Sequence, residues 1–254
     1  MIGASQIRTV LRNPSLATRF IKSKAIGNIP IKTYKTLEIN GYSAEFIIST
    51  SAEYSHYKGN FKSEKDIIKD CLQNTSSKDV FYDIGANIGL YSCLIGQTGA
   101  KIIPFEPQPE NAKRCDENLK MNDLEPNTRE IALSEEDRKV TLEIEDRGLM
   151  SGAGRSQISS NGAEGITVET RRVDKLVRNN DIDQPSVVKI DVEGAEMSVI
   201  RGFGDVLEGV DMLYCEIHKC YNVDKKEIDK YLQNYGFGNT TISKRTGEKL
   251  VRYQ

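Results

Sequence analysis

The chain has no long uninterrupted apolar run, and its first residues lack the apolar core of a secretory signal. The first absence excludes a membrane-spanning helix; the second makes the cytoplasm the expected compartment. The five cysteines, at positions 71, 93, 115, 215 and 220, form no Cys-x-x-Cys pair. An odd, scattered set suits reduced thiols that fill apolar segments, not a disulfide framework. Cys215 and Cys220 are close in sequence, but two sulfurs alone make a poor metal site. No internal repeat is found.

Acidic residues are absent from residues 1–37, which carry Arg8, Arg12, Arg19, Lys22, Lys24, Lys32 and Lys35. These seven cations leave the rest of a chain of net charge −2 at −9. Nothing in that balance draws the whole protein to nucleic acid. The basic arm suits peripheral contact with an anionic membrane, docking on an acidic patch of its own or a partner subunit in an oligomer, or plain solvation. Its acid-free, Arg- and Ser-containing composition also resembles a transit peptide, and Pro14 interrupts its helical pattern. With 38% hydrophobic and 28% charged residues over 254 positions, a soluble globular protein is expected. We divide it into residues 1–75, a helical arm and small α+β cap, and residues 76–254, one α/β domain.

The most informative segment is Asp83-Ile84-Gly85-Ala86-Asn87-Ile88-Gly89, directly after the apolar run Val80-Phe81-Tyr82. Seventeen residues past Gly89 stands Glu106, at the end of a second apolar run. This reads as strand, glycine turn, helix, then a strand ending in a carboxylate, the device by which a doubly wound sheet holds an adenosine-type cofactor. Gly85 supplies a positive φ. Gly89 allows close packing of the helix or close approach of a ligand. A dinucleotide fingerprint would need Gly-x-Gly-x-x-Gly, but Asn87 and Leu90 occupy the second and third glycine positions. Asp83 would repel a phosphate and attract an ammonium. S-adenosylmethionine (SAM), with ribose and an α-ammonium but no phosphate, fits this turn better than NAD does.

The rest of the chain alternates in kind. Residues 35–50 suggest a strand pair turning at Asn40-Gly41, and residues 63–74 a helix. Strands are expected at 80–84, 101–106, 129–133, 187–191 and 212–217, with β-like runs at 140–145 and 166–173. Helices follow through Leu90–Ile95, after Pro107 and Pro109, at 196–203 and at 225–235. Thr240 to Tyr253 reads as a hairpin turning at Thr246-Gly247. Together these give a doubly wound, mostly parallel sheet of Rossmann-like class with an antiparallel C-terminal edge strand and a small N-terminal α+β cap.

Tyr82 to Gly89, Phe105-Glu106-Pro107, Ala132-Leu133-Ser134 and above all Lys189-Ile190-Asp191-Val192-Glu193-Gly194-Ala195-Glu196 resemble the FkbM family of SAM-dependent methyltransferases. The resemblance spans about residues 78–220, and the Asp-Val-Glu-Gly-Ala-Glu run is its most specific part. It implies a class I methyltransferase fold and methylation of a hydroxyl, often on a sugar or small metabolite. It implies that Asp83, Gly85, Ala86, Asn87 and Gly89 line the methionine end of SAM. Glu106 and Pro107 would then meet the ribose, and Leu133 and Ser134 the adenine.

Ligands of open α/β sheets sit beyond the carboxyl ends of the strands. Asp191, Glu193, Glu216 and His218 would converge there. A hydroxyl acceptor needs a base, and Asp191 and His218 are the candidates, with Glu193 beside them; the unperturbed pKa of His218 suits that work near neutrality. Plainer roles are a helix cap for Asp191, a loop contact for Glu193, a dipole-favoured first-turn position for Glu196 and a solvated strand end for His218. His56 is expected at the surface. The same four residues offer oxygen and nitrogen ligands to a cation, although the expected site is metal-free. Met150 to Ser156, with Arg155, is a candidate lid over the acceptor. An acceptor of small-molecule or glycan type follows; an NAD-dependent oxidoreductase and a non-catalytic scaffold are the alternatives. No Asn/Asp-Pro-Pro-Tyr run points to an amino-group target.

Overall fold

A computed structural model describes residues 33–144, 156–158, 165–218, 223–245 and 248–254. Residues 1–32 of the basic arm, residues 150–155 of the candidate lid, and Cys220 lie outside the described residues, whereas Lys35 is among them. Strands β1 (Thr33–Ile39) and β2 (Tyr42–Ile48) form the expected hairpin. Its turn is Asn40-Gly41, with φ of +55 and +84, the pair of left-handed residues that a two-residue hairpin demands.

Helix α1 (Ser51–Gln73) begins twelve residues before the predicted start at 63. Thr50 and Glu53 form a capping box in which each side chain accepts the other's backbone N–H at 3.0 Å. That cap fixes a first half without apolar periodicity. Farther along, Ile67, Ile68, Cys71 and Leu72 are buried as the spacing indicates.

The central sheet has six strands. These are β3 (Val80–Ile84), β4 (Lys101–Phe105), β9 (Val187–Ile190), β10 (Met212–His218), β11 (Asn239–Arg245) and β12 (Glu248–Tyr253). Their order is β11-β12-β10-β9-β3-β4. All neighbours are parallel except around β12, which runs antiparallel to both β10 and β11. The C-terminal hairpin therefore places its antiparallel strand inside β11. Successive residues of each central strand face opposite layers. Phe81, Ile102, Val187 and Tyr214 face the hairpin, α1, α2 (Leu90–Gly96) and α3 (Pro109–Met121). Tyr82, Ile103, Val188 and Leu213 face α4 (Val173–Arg178), α5 (Glu196–Phe203) and α6 (Lys225–Gln233).

The segment predicted as a third parallel strand, 129–133, pairs with the central sheet through one bridge, between Arg129 and Phe105, although Ile131 and Leu133 still pack in the core against it. The Ile131 amide turns back to the Arg129 carbonyl at 2.8 Å, which lifts the chain off the sheet. Residues Ala132–Leu133 (β5) join β6 (Arg138–Ile144), β7 (Ser156–Ile158) and β8 (Gly165–Arg171) in a second sheet of order β5-β8-β6-β7. No helix among the described residues is long and apolar enough to cross a membrane.

Candidate functional site

β3 delivers the chain to the glycine turn. Gly85 has a φ of +76, and a Cβ there would lie 2.0 Å from the Asp191 carbonyl oxygen. Two adjacent strand ends approach too closely for any side chain, so this position requires glycine. The amides of Gly85 and Ala86 both donate to the Phe105 carbonyl, at 3.0 and 3.1 Å. Asn87 also takes the left-handed conformation, and its N–H donates to Glu106 Oε2 at 2.9 Å. A Cβ on Gly89 would lie 2.8 Å from Cys115 Sγ on α3, so this glycine serves helix packing.

The hairpin braces the same turn. Asn118 of α3 accepts from the Ile47 amide at 2.9 Å and donates to the Ile88 carbonyl at 2.8 Å. Asn122 binds both backbone groups of Glu45.

Glu106 is buried just past β4. Besides the Asn87 amide it accepts from the Gln108 amide at 3.0 Å. Burial raises its pKa, and those two amides oppose the rise. Pro107 is half-buried beside it and Gln108 fully buried. Asn87 Oδ1 and Gln108 Nε2 are buried with no hydrogen-bond partner among the described residues. Such orphaned atoms carry a free-energy cost that a polar ligand would relieve. A carboxylate flanked by an orphaned acceptor and an orphaned donor fits a nucleoside with free hydroxyls. Leu133 and Ser134 are buried, but the Ser134 hydroxyl is engaged with Ser198 of α5 at 2.9 Å, and its carbonyl lies against Gly202.

Asp83 is fully buried. Its Oδ2 accepts from the Ser92 amide and hydroxyl, at 3.0 and 2.6 Å, and its Oδ1 stands 3.1 Å from Lys189 Nζ. Lys189, on β9, also donates to the Gly85 carbonyl at 2.9 Å, lies 3.6 Å from Asp191 Oδ2 and sits over the Tyr91 ring. Burial would lower the lysine pKa; Asp83 and then Asp191 outweigh it and raise it. The carboxylate expected to attract a ligand ammonium thus already holds an internal one, and its visible work is to lock the turn between β3, α2 and β9.

The second half of the site follows from strand register. Cys215 pairs with Ile190, so β10 runs on past the end of β9 and carries Glu216 and His218 beside Asp191. His218 is 3% exposed. Its Nδ1 lies 2.6 Å from Glu196 Oε1, and its Nε2 faces Asp191 Oδ1 at 3.8 Å and Glu193 Oε2 at 3.7 Å. Burial alone would lower its pKa; the Glu196 bond, then the Asp191 and Glu193 charges, overcome this and raise it to about 9. The ring is an imidazolium at neutrality, contrary to the near-neutral titration its residue type suggests. Asp191 is no helix cap, because α5 starts from Ala195 without a side-chain cap. One ligand atom each from Asp191, Glu216 and His218 lie within 4.8 Å of one another.

The structure thus brings together Asp191, Glu193 and His218 at one strand end, and Gly85, Ala86, Asn87, Glu106 and Pro107 at the next. Lys189, Glu196 and Ser92 were not singled out from the sequence as site residues. A lysine inside an otherwise apolar strand, Val187-Val188-Lys189-Ile190, was the available signal for the first. Cys71, Cys93, Cys115 and Cys215 are all buried, which raises their thiol pKa values and makes them core residues. The His56 side chain lies outside the described residues.

Residues 83–238 match the model of the methyltransferase FkbM domain. The chain is 31% identical over 205 residues to the hexuronic acid methyltransferase AglP of Haloferax volcanii, covering 80% of this chain and 81% of that protein. It is 24% identical over 207 residues to the methyltransferase sdnD of Sordaria araneosa, covering 66% of this chain and 77% of the relative. Among solved structures, a methyltransferase FkbM from Methylobacillus flagellatus KT superposes with a TM-score of 0.51 at 14% identity. That match covers 70% of this chain but 44% of the solved one, so the chain spans under half of that protein's length.

Proposed function

For a chain that belongs to the FkbM methyltransferase family, we propose that the reaction is transfer of a methyl group from SAM to a hydroxyl of a sugar or sugar-derived acceptor. One observation carries this reading. The glycine turn with Glu106 and the Asp191–Glu193–His218 group open from neighbouring strand ends of one sheet. A nucleoside at the first would present its reactive end to the second. The name of the 31%-identical relative supports a sugar acid as acceptor.

The residues divide the labour. Gly85, Ala86, Asn87 and Gly89 shape the turn; Glu106 and Asn87 offer acceptors to hydroxyls, and Pro107, Leu133 and Ser134 form the nucleoside side. Bound SAM supplies an electrophilic methyl on a sulfonium. His218, fixed through Nδ1 by Glu196, orients the acceptor from Nε2. As an imidazolium it takes no proton at neutrality, so Asp191, the most exposed carboxylate of the group, receives the hydroxyl proton. Orientation of the acceptor supplies much of the acceleration.

The test is calorimetry with SAM and NADH, followed by mass spectrometry of hexuronate-containing glycans incubated with the protein and isotopically labelled SAM. We expect selective SAM binding and one added methyl. Selective NADH binding, or SAM binding without transfer to any hydroxylated sugar, would overturn the reading.

A further inference from the structure

We propose that Asp191, Glu216 and His218 form a divalent-cation site for an ion of the Mn²⁺ type, which binds the acceptor hydroxyl during methyl transfer. This rests on the methyltransferase reading above and replaces one part of it: with the ion bound, His218 and Asp191 hold the cation, and the cation takes over orienting and activating the hydroxyl. Three features carry it.

The first is donor spacing. Nε2 of His218 stands 3.8 Å from Asp191 Oδ1 and 3.7 Å from Glu193 Oε2, and the Asp191, Glu216 and His218 donors lie within 4.8 Å of one another. The two His218 Nε2 separations, 3.8 and 3.7 Å, are longer than a hydrogen bond. The two His218 separations match neighbours in a coordination sphere, since ligands about 2.1 Å from one ion stand about 3.0–4.2 Å apart, and the 4.8 Å limit on the set asks the side chains to draw in slightly around the ion.

The second is the support behind the histidine. Glu196 is fully buried, lies outside the ligand set and binds Nδ1 at 2.6 Å. A carboxylate on Nδ1 keeps that nitrogen protonated and aims Nε2 at the ligand, so an arriving ion displaces the Nε2 proton of the imidazolium to solvent and binds the freed nitrogen. The third is burial. Glu216 and His218 are 5% and 3% exposed, whereas ordinary acidic surface clusters are solvated. Side chains at i and i+2 of one strand share a face, so β10 presents both donors to Asp191 at the end of β9.

Mixed carboxylate and imidazole ligands suit Mn²⁺, Zn²⁺ or Fe²⁺ better than Ca²⁺. Such an ion would lower the pKa of a bound sugar hydroxyl, whose proton would pass to Glu193, the carboxylate of the group outside the ligand set, as the oxygen takes the methyl; a vicinal hydroxyl or carboxylate on the acceptor would fill a further position.

The experiment uses the full chain, stripped with chelator, and follows Mn²⁺ binding by loss of the free-ion electron paramagnetic resonance signal. We expect one Mn²⁺ per chain, with affinity falling at least tenfold in both His218→Gln and Glu216→Gln. Methyl transfer should be lost in chelator and restored by Mn²⁺. S-adenosylhomocysteine affinity is measured alongside on each protein. Normal nucleoside binding without stoichiometric Mn²⁺ binding, or Mn²⁺ binding undiminished in both variants, overturns the cation site and leaves the methyltransferase reading intact. Loss of nucleoside binding in the wild-type chain would strike the reading itself.

Discussion

Replacing Glu196 by Gln should move the His218 titration and, with it, the pH dependence of stability. The structure sets the size of the effect. His218 titrates at about 9 instead of 6.5, although burial works the other way. That displacement corresponds to ~3 kcal/mol between the two protonation states in the folded chain. The Glu196 hydrogen bond at 2.6 Å is the largest influence raising it. Gln keeps the shape and an acceptor oxygen but removes the charge, so the His218 pKa should fall by ~1–2 units, the usual effect of one adjacent charge. The sign follows from the direction of the shift. A histidine whose folded pKa exceeds its unfolded one contributes its full stability below about 6.5, and loses it as pH rises through about 9. The stability advantage of wild type over the variant should therefore be greatest near pH 6 and shrink toward pH 9.5. Urea unfolding in the presence of chelator measures it. Imidazole resonances give the pKa directly, and with two histidines in the chain a His56→Gln background assigns them. A His218 pKa that stays near 9 in the variant, or a stability difference independent of pH, would refute the account of this cluster.

Four further outcomes are expected. Gly85→Ala should abolish SAM binding and unfold or severely destabilise the chain, because the new Cβ meets backbone 2.0 Å away; Gly41→Ala, equally left-handed but with open space, should cost only ~1–2 kcal/mol in urea midpoints. Lys189→Met should cost ~3–5 kcal/mol by leaving buried Asp83 without its cation, and adding Asp83→Asn should restore part of that stability. Glu106→Gln should weaken SAM binding by about 10- to 100-fold in calorimetry and also cost ~1–3 kcal/mol of stability, because the Gln amide nitrogen faces one of the two backbone amides that the carboxylate accepts from. Asn118→Ala should cost ~1–3 kcal/mol and speed hydrogen exchange at the Ile47 amide, since the side chain joins the hairpin to the glycine turn.

Local chemistry made much of this protein legible in one dimension. Asn40-Gly41 specified its hairpin because few other residue pairs accept two successive left-handed conformations. Apolar runs at Val80, Ile102 and Val187 specified parallel strands because both of their faces are covered. The positions of Gly85, Glu106, Asp191 and His218 were readable because a doubly wound sheet puts the ends of its strands together whatever the details of its packing. The early start of α1 was missed because a capping box acts where periodicity is silent.

What the chain alone could not decide were the charges and the partners. Whether Asp83 meets a ligand or Lys189, whether Glu196 serves only a helix dipole or also holds a histidine, and whether His218 is neutral or cationic depend on side chains far apart in the sequence. Their separations are set by strand register and by burial, through which a carboxylate at 2.6 Å outweighs desolvation. The departure of residues 129–133 from the sheet was equally hidden, because one backward hydrogen bond at Ile131 redirects a segment whose composition still reads as strand. Composition and spacing determined the scaffold and which residues reach its active edge; only tertiary contacts decided the protonation and pairing of those residues, because electrostatic energies depend on distance and solvent exclusion, which spacing along a chain does not encode.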